Sequence, residues 1–182
     1  STRNCKNKGP TNETKRHVTK ELTSSAGGDR ETVGAKLTPS SGRCGMNYLM
    51  YVGGSNVEYG NGIAIDSVGN ADVVGVTASS GFPTQNAYQS ILNGTYDAFL
   101  SELSSTGSDL LYSTYLGGAD VEVAYGIAID ALGDVYVNGI TGSSDYPTRN
   151  QFQTALCGLQ DTFVSKLTMV QGFFSPIVPR GR

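Results

Sequence analysis

Gly62-Ile63-Ala64-Ile65-Asp66 and Gly126-Ile127-Ala128-Ile129-Asp130 are the same five residues, 64 positions apart. The offset holds outward in both directions. Gly53-Gly54 returns as Gly117-Gly118, Pro83-Thr84 as Pro147-Thr148, and Asp97, Phe99 and Leu103 as Asp161, Phe163 and Leu167. Laid over each other without a gap, residues 48–103 and 112–167 agree at 27 of 56 positions, far more than chance supplies. The chain is internally duplicated. A fixed period of this length marks an architecture whose units bury their faces against one another.

Each unit reads as four short strands. Residues 62–66 form a run of small apolar side chains without polar alternation, as expected of a strand covered on both faces. Asp66-Ser67-Val68-Gly69-Asn70 has turn chemistry, with Asp capping its own backbone and Gly taking a positive φ. The second strand is Ala71–Thr77, where Val73, Gly75 and Thr77 recur while Asp72 and Val74 become Tyr136 and Asn138. Period-two identity of this kind predicts one packed face and one freer face. Asp97–Leu103 and Leu110–Leu116 complete the unit. On this pattern Ile63, Ile65, Ile127, Ile129, Phe99 and Phe163 are expected inside, and Asp72, Glu102 and Lys166 outside. Residues 78–96 make the longest connection, long enough to carry a short helix or a binding surface.

The ends hold partial copies. Residues 31–37 resemble a third strand and residues 47–54 a fourth, with about two extra residues near 42–45. Phe173-Phe174 falls where a last fourth strand would start, and Pro176 and Pro179 spoil its regularity. The expected organisation is a basic, weakly ordered head over residues 1–30, a partial blade over 31–54, a blade over 55–118, and a blade with a degraded last strand over 119–178.

Composition agrees with a turn-rich β protein. The 182 residues include 24 Gly and 10 Tyr but no Trp, and only 16% are charged, against about 25% in an average globular chain. Heptads, a collagen period and a long apolar run are absent, which excludes coiled coil, triple helix and a helical membrane span. Residues 1–37 carry a net charge of +4 and residues 38–182 a net of −7. An acidic body repels phosphate backbones, so nucleic acid is not an expected partner. The basic head, Lys6 through Lys20, reads as a solvated end, with contact to an anionic surface as the alternative. No Met opens the chain and no signal peptide is visible, which reads as a processed form or a fragment. Asn12-Glu13-Thr14 and Asn93-Gly94-Thr95 are glycosylation triplets. Cys5, Cys44 and Cys157 make an odd number without metal spacing, leaving one disulfide plus a thiol, or three thiols.

Leu111-Tyr112-Ser113-Thr114-Tyr115-Leu116-Gly117-Gly118, Gly126-Ile127-Ala128-Ile129-Asp130, Gly133-Asp134-Val135-Tyr136-Val137, Tyr146-Pro147-Thr148 and Asp161-Thr162-Phe163-Val164-Ser165-Lys166-Leu167 together resemble the bacterial β-propeller repeat known as SBBP. The resemblance covers about residues 31–167, with its motifs in order in two copies. It implies an all-β fold of β-propeller blades, each a four-stranded antiparallel sheet, here about two and a half repeats of 64 residues. It further implies a secreted or cell-surface protein, and no activity for the repeat as such.

Duplication also sorts the polar residues. Catalysis needs its site once, so acids present in both copies, Asp66/Asp130, Glu58/Glu122 and Asp97/Asp161, are expected to serve turns and loops. The competing reading is a Ca²⁺ site at Asp66 and Asn70, or at Asp130 and Asp134, where oxygen ligands meet at a turn. An alternating Asp pattern with a distal Glu is missing. The single His17 lies in the basic head, which leaves no catalytic triad and no two-His metal site. The paired glycines precede no Lys-Ser/Thr, so they form no phosphate loop. Tyr59, Tyr96, Tyr125 and Tyr136 each occur in one copy only, and are expected to pack between blades or to line a glycan-binding surface. The functional expectation is a non-enzymatic scaffold, self-assembly or adhesion module without a cofactor. Its partners would be other copies of itself, further blades of a longer chain, or a glycan or protein ligand. The alternative is a loop-borne glycan-active enzyme or carbohydrate-binding propeller.

Overall fold

The structure, a computed structural model, describes residues 32–40 and 43–169, with side chains from Met46 onward. The basic head with Cys5 and His17, the side chain of Cys44, and the Phe173-Phe174 segment with Pro176 and Pro179 lie outside the described residues. Nine strands and no helix lie among those described: β1 (Thr32–Ser40), β2 (Arg43–Val52), β3 (Glu58–Ile65), β4 (Ala71–Thr77), β5 (Asp97–Leu103), β6 (Leu110–Leu116), β7 (Glu122–Ile129), β8 (Val135–Thr141) and β9 (Asp161–Leu167). They build three antiparallel sheets in the orders β1-β2, β3-β4-β5-β6 and β7-β8-β9. The all-β fold of antiparallel sheets is that of propeller-type blades, and the last two sheets are called here the first and second blade.

The repeat reaches into the irregularities. A one-residue bulge at Asn61 in β3 returns at Tyr125 in β7, and one at Asn47 in β2 returns at Leu111 in β6. Beside the bulge in each blade a backbone carbonyl, of Tyr59 or of Val123, closes onto Gly75 or Gly139. A Cβ at either position would collide with that oxygen, so only glycine fits. At the β3–β4 turn, Asp66 Oδ1 accepts from the amides of Val68 and Asn70 at 2.9 and 2.8 Å while Gly69 takes φ 92°.

The sheets stack face on face, so each blade packs on its neighbour. One face of the first blade sets Val73, Phe99, Leu103 and Tyr115 against Met50 and Val52 of β2. Its other face sets Val74, Ala98 and Leu100 against Ala124, Val135, Val137 and Phe163 of the second blade. The second blade's Val137, Phe163 and Leu167 are the repeat partners of Val73, Phe99 and Leu103. Each blade thus uses the same face to pack on the sheet before it.

Three expectations are corrected, the first being Glu102, expected outside and half-buried in β5. Asp72, expected outside, is 2% exposed, because every residue of β4 is covered and the face that varies between copies is the seam with the second blade. Ile65, expected inside, is 55% exposed at the end of β3, beyond the reach of either core. Ile63, Ile127 and Ile129 are half-buried, and Lys166 is exposed. Residues 78–96 carry no helix. They run along the outer edge of β6, where Gln85 and Ser113 exchange backbone hydrogen bonds of 3.0 and 2.8 Å. A covered edge cannot template pairing with another chain.

Candidate functional site

Two polar constructions recur in both blades, and a third differs between them. Glu58 and Glu122 are buried, and each accepts a hydrogen bond from a threonine hydroxyl: Thr77 at 2.8 Å and Thr141 at 2.6 Å. The same carboxylates take the amides of Gly54 and Gly118 at 3.2 and 2.8 Å. The threonine hydroxyls then accept from the amides of Ser79 and Ser143, whose own hydroxyls accept from the amides of Asn56 and Asp120. Chains of this kind tie the glycine pair, the strand end and the loop into one satisfied network.

Asp97 and Asp161 clasp their loops in the same way. Asp97 accepts from Gln89 Nε2 at 2.7 Å and from the Asn93 and Gly94 amides at 3.1 Å. Asp161 accepts from Gln153 Nε2 and the Cys157 amide, both at 2.8 Å. Burial pushes the Asp97 carboxyl up, against the two amides and Gln89, which hold it down. Every acid in these networks spends its oxygens on the chain's own donors.

At the β3–β4 and β7–β8 turns the two copies part. Asn70 Nδ2 donates to Asp66 Oδ2 at 3.0 Å and to Glu102 Oε1 at 2.9 Å, and its Oδ1 accepts the Ser105 amide. Asp66 and Asn70 therefore bond to each other rather than presenting two oxygens to one ion. In the second blade Lys166 Nζ lies 2.6 Å from Asp134 and 3.7 Å from Asp130, and 5.0 Å above the Tyr136 ring. An ammonium thus stands between Asp130 and Asp134. Its hydrogen bond to Asp134, and then Tyr136, raises Lys166. Desolvation pushes the Asp130 carboxyl up, but the Asp134 and Leu132 amides, the Tyr136 hydroxyl and Lys166 outweigh it and hold it below the carboxylate range. Among the described residues no group of three or more His, Cys, Asp and Glu is arranged to hold a metal ion.

The four tyrosines do not converge. Tyr59 in β3 and Tyr125 at the β7 bulge are exposed on neighbouring first strands. Tyr96 lies at the loop end, where its carbonyl accepts the Glu122 amide at 2.9 Å. Tyr136 is at the opposite, turn end of its blade, under Lys166. The loop end also holds an open groove of about 310 Å³ between Tyr88, Gln89 and Asn93 of the first blade and Asp145 and Pro147 of the second. Tyr88 has Phe152 at its repeat position, so only a hydroxyl distinguishes it in the sequence.

Sequence reasoning missed one further group. At the turn end of the seam, Asp66, Asp72 and Glu102 line a cavity of about 170 Å³ together with Leu132 and Met169. Alternation along β4 predicts Asp72 in solvent, and so hides this group.

Residues 111–147, which run from β6 across the seam and through β8, match the family described as SBBP, Beta-propeller repeat. No curated protein matches the chain.

Proposed function

We propose, from the premise that residues 111–147 are an SBBP beta-propeller repeat, that the chain is a non-enzymatic extracellular or cell-surface scaffold whose blades assemble with further blades of the same repeat. One observation carries the reading. Leu100 is 0% exposed at the seam, whereas its repeat partner Val164 is 72% exposed on the same face of the second blade. Among the described residues nothing packs on that face. The face that a blade closes in the first copy is open in the second, and it fits another sheet of this repeat from a second copy or from further blades of a longer chain.

The non-catalytic part of the reading is supported by the recurring acids, which are engaged in backbone and side-chain hydrogen bonds of the fold itself. The extracellular part rests on the resemblance of the repeat. A glycan- or peptide-binding role is favoured only by the groove beside Tyr88, and a glycan array on the full chain tests it. Light scattering on the full chain tests the assembly: the expected result is concentration-dependent association above the 19.1 kDa of one copy, reversed by Val164→Lys. A monomer at every concentration overturns it.

A further inference from the structure

Equivalent corners of the two blades differ in charge, one holding an ammonium between carboxylates and the other carboxylates alone. The second has Asp130, Asp134, Tyr136 and Lys166, with the lysine ammonium between the two carboxylates. The first has Asp66, Asn70, Asp72 and Glu102 at those same repeat positions, so the lysine is replaced by a third carboxylate. No basic side chain is among the described residues that line this corner. Asn70 bridges Asp66 and Glu102, but Asp72 Oδ1 is buried and has no hydrogen-bond partner.

An unpartnered carboxylate oxygen in a buried site is costly unless a donor or a cation reaches it. Asp72, with Asp66 and Glu102, lines a cavity of about 170 Å³ whose apolar lining is Val68, Leu132 and Met169. That is room for several water-sized groups, at about 30 Å³ each. The polar wall suits a hydrogen-bonding cation, and the apolar wall suits an aliphatic stem.

We propose that this corner of the seam binds a primary alkylammonium, its head on Asp72 and its stem along Leu132 and Met169. The second blade meets the same need with its own Lys166. The ammonium class is favoured over a metal because the three acids are not disposed as metal ligands. Two sources share this chemistry: a free amine, and a lysine such as Lys6, Lys8, Lys15 or Lys20 of this chain or of a second copy.

Carbon-13 NMR of the Asp72 carboxyl in the full chain reads the site directly. Burial, with Glu102 and Asp66 nearby, places its midpoint at about 7 when no cation is bound. Added n-butylammonium at constant ionic strength is expected to lower the midpoint by about 1–3 units, the effect of an opposite charge a few ångströms away. A midpoint already low without added amine, and raised when Lys6, Lys8, Lys15 and Lys20 are all changed to Gln, assigns the ammonium to the chain itself. Glu102→Lys is expected to lower the midpoint without added amine, as a tethered copy of the Lys166 arrangement. The proposal is overturned if the wild-type midpoint stays at about 7 with amine, the site then holding only a proton. It is equally overturned if Ca²⁺ lowers the midpoint more than the amine does.

Discussion

Leu100 and Val164 hold the same place in their blades, and so do Val74 and Asn138, Ala98 and Thr162, Asp72 and Tyr136, and Glu102 and Lys166. In the first blade this face is sealed by β7, and Val74, Ala98 and Leu100 are fully buried. In the second blade Asn138, Thr162 and Val164 are exposed. On the opposite face the two blades agree: Val73 and Val137, Phe99 and Phe163, and Ser101 and Ser165 are unchanged. Sequence divergence between copies therefore tracks the neighbour a face meets, not a general freedom of that face. An apolar side chain pays its hydrophobic contribution only where a second surface removes it from water.

The comparison is broken or sharpened by substitutions at matched positions. The largest loss is expected for Phe99→Ala, about 3–5 kcal/mol in urea unfolding, because its ring is fully buried against Phe82 at 4.7 Å. Phe163→Ala should cost less, since the other side of its blade is open. An equal or larger loss at Phe163 would break the comparison.

Asp72 gives the second effect, and it belongs to the first blade alone. Burial raises its carboxyl from 3.8 to about 7, so the folded state holds the proton more tightly than the unfolded chain. Stability is then fully present below about pH 4 and falls as pH rises to about 7, by on the order of 4 kcal/mol for this group alone. Glu102, also raised by burial, adds to the slope with the same sign. Asp72→Asn should flatten the slope in chemical denaturation from pH 4 to 8, and a Tyr136 variant should leave it intact. A slope surviving Asp72→Asn unchanged sinks the assignment.

Next in size is the matched pair itself. Leu100→Ala should cost about 2–5 kcal/mol, as a buried leucine truncated to a cavity does. Val164→Ala should stay within about 0.5 kcal/mol, the range of a surface change. Both are read at concentrations where the chain is monomeric, and equal losses there would mean that the second blade's face is covered within one chain.

How much of this was legible follows from what kind of information each feature needs. Strand identity and limits for β4, β5 and β6 were legible in the period-two and 64-residue patterns, because both can be read from the chain without knowing how the sheets stack. So were the Asp66–Gly69 turn and the structural use of Glu58, Asp97 and their repeat partners, since duplication itself separates fold from chemistry. The burial of Asp72 was not legible. Alternation tells which residues share a face, but only the stacking of sheets tells whether that face meets water. The grouping of Tyr136 and Lys166 with Asp130 and Asp134 was not legible for the same reason: it joins three different segments.

The smallest expected effect is at that cluster. Lys166 is exposed, so its ion pair with Asp134 is screened by solvent and counts for little at ordinary salt. The raised lysine contributes while it is charged and is lost as pH climbs above its ordinary range. The lowered Asp130 contributes above the carboxylate range and is lost as pH falls through it. Between those limits the pair is present at full strength, so Lys166→Met should lower the melting temperature slightly at neutral pH and low salt. Because the Debye length shrinks from about 30 Å at 0.01 M to about 3 Å at 1 M, the difference should vanish at high salt. A deficit that persists there would shift the weight from the ion pair to the Lys166 ammonium over the Tyr136 ring, a short-range contact that salt screens far less.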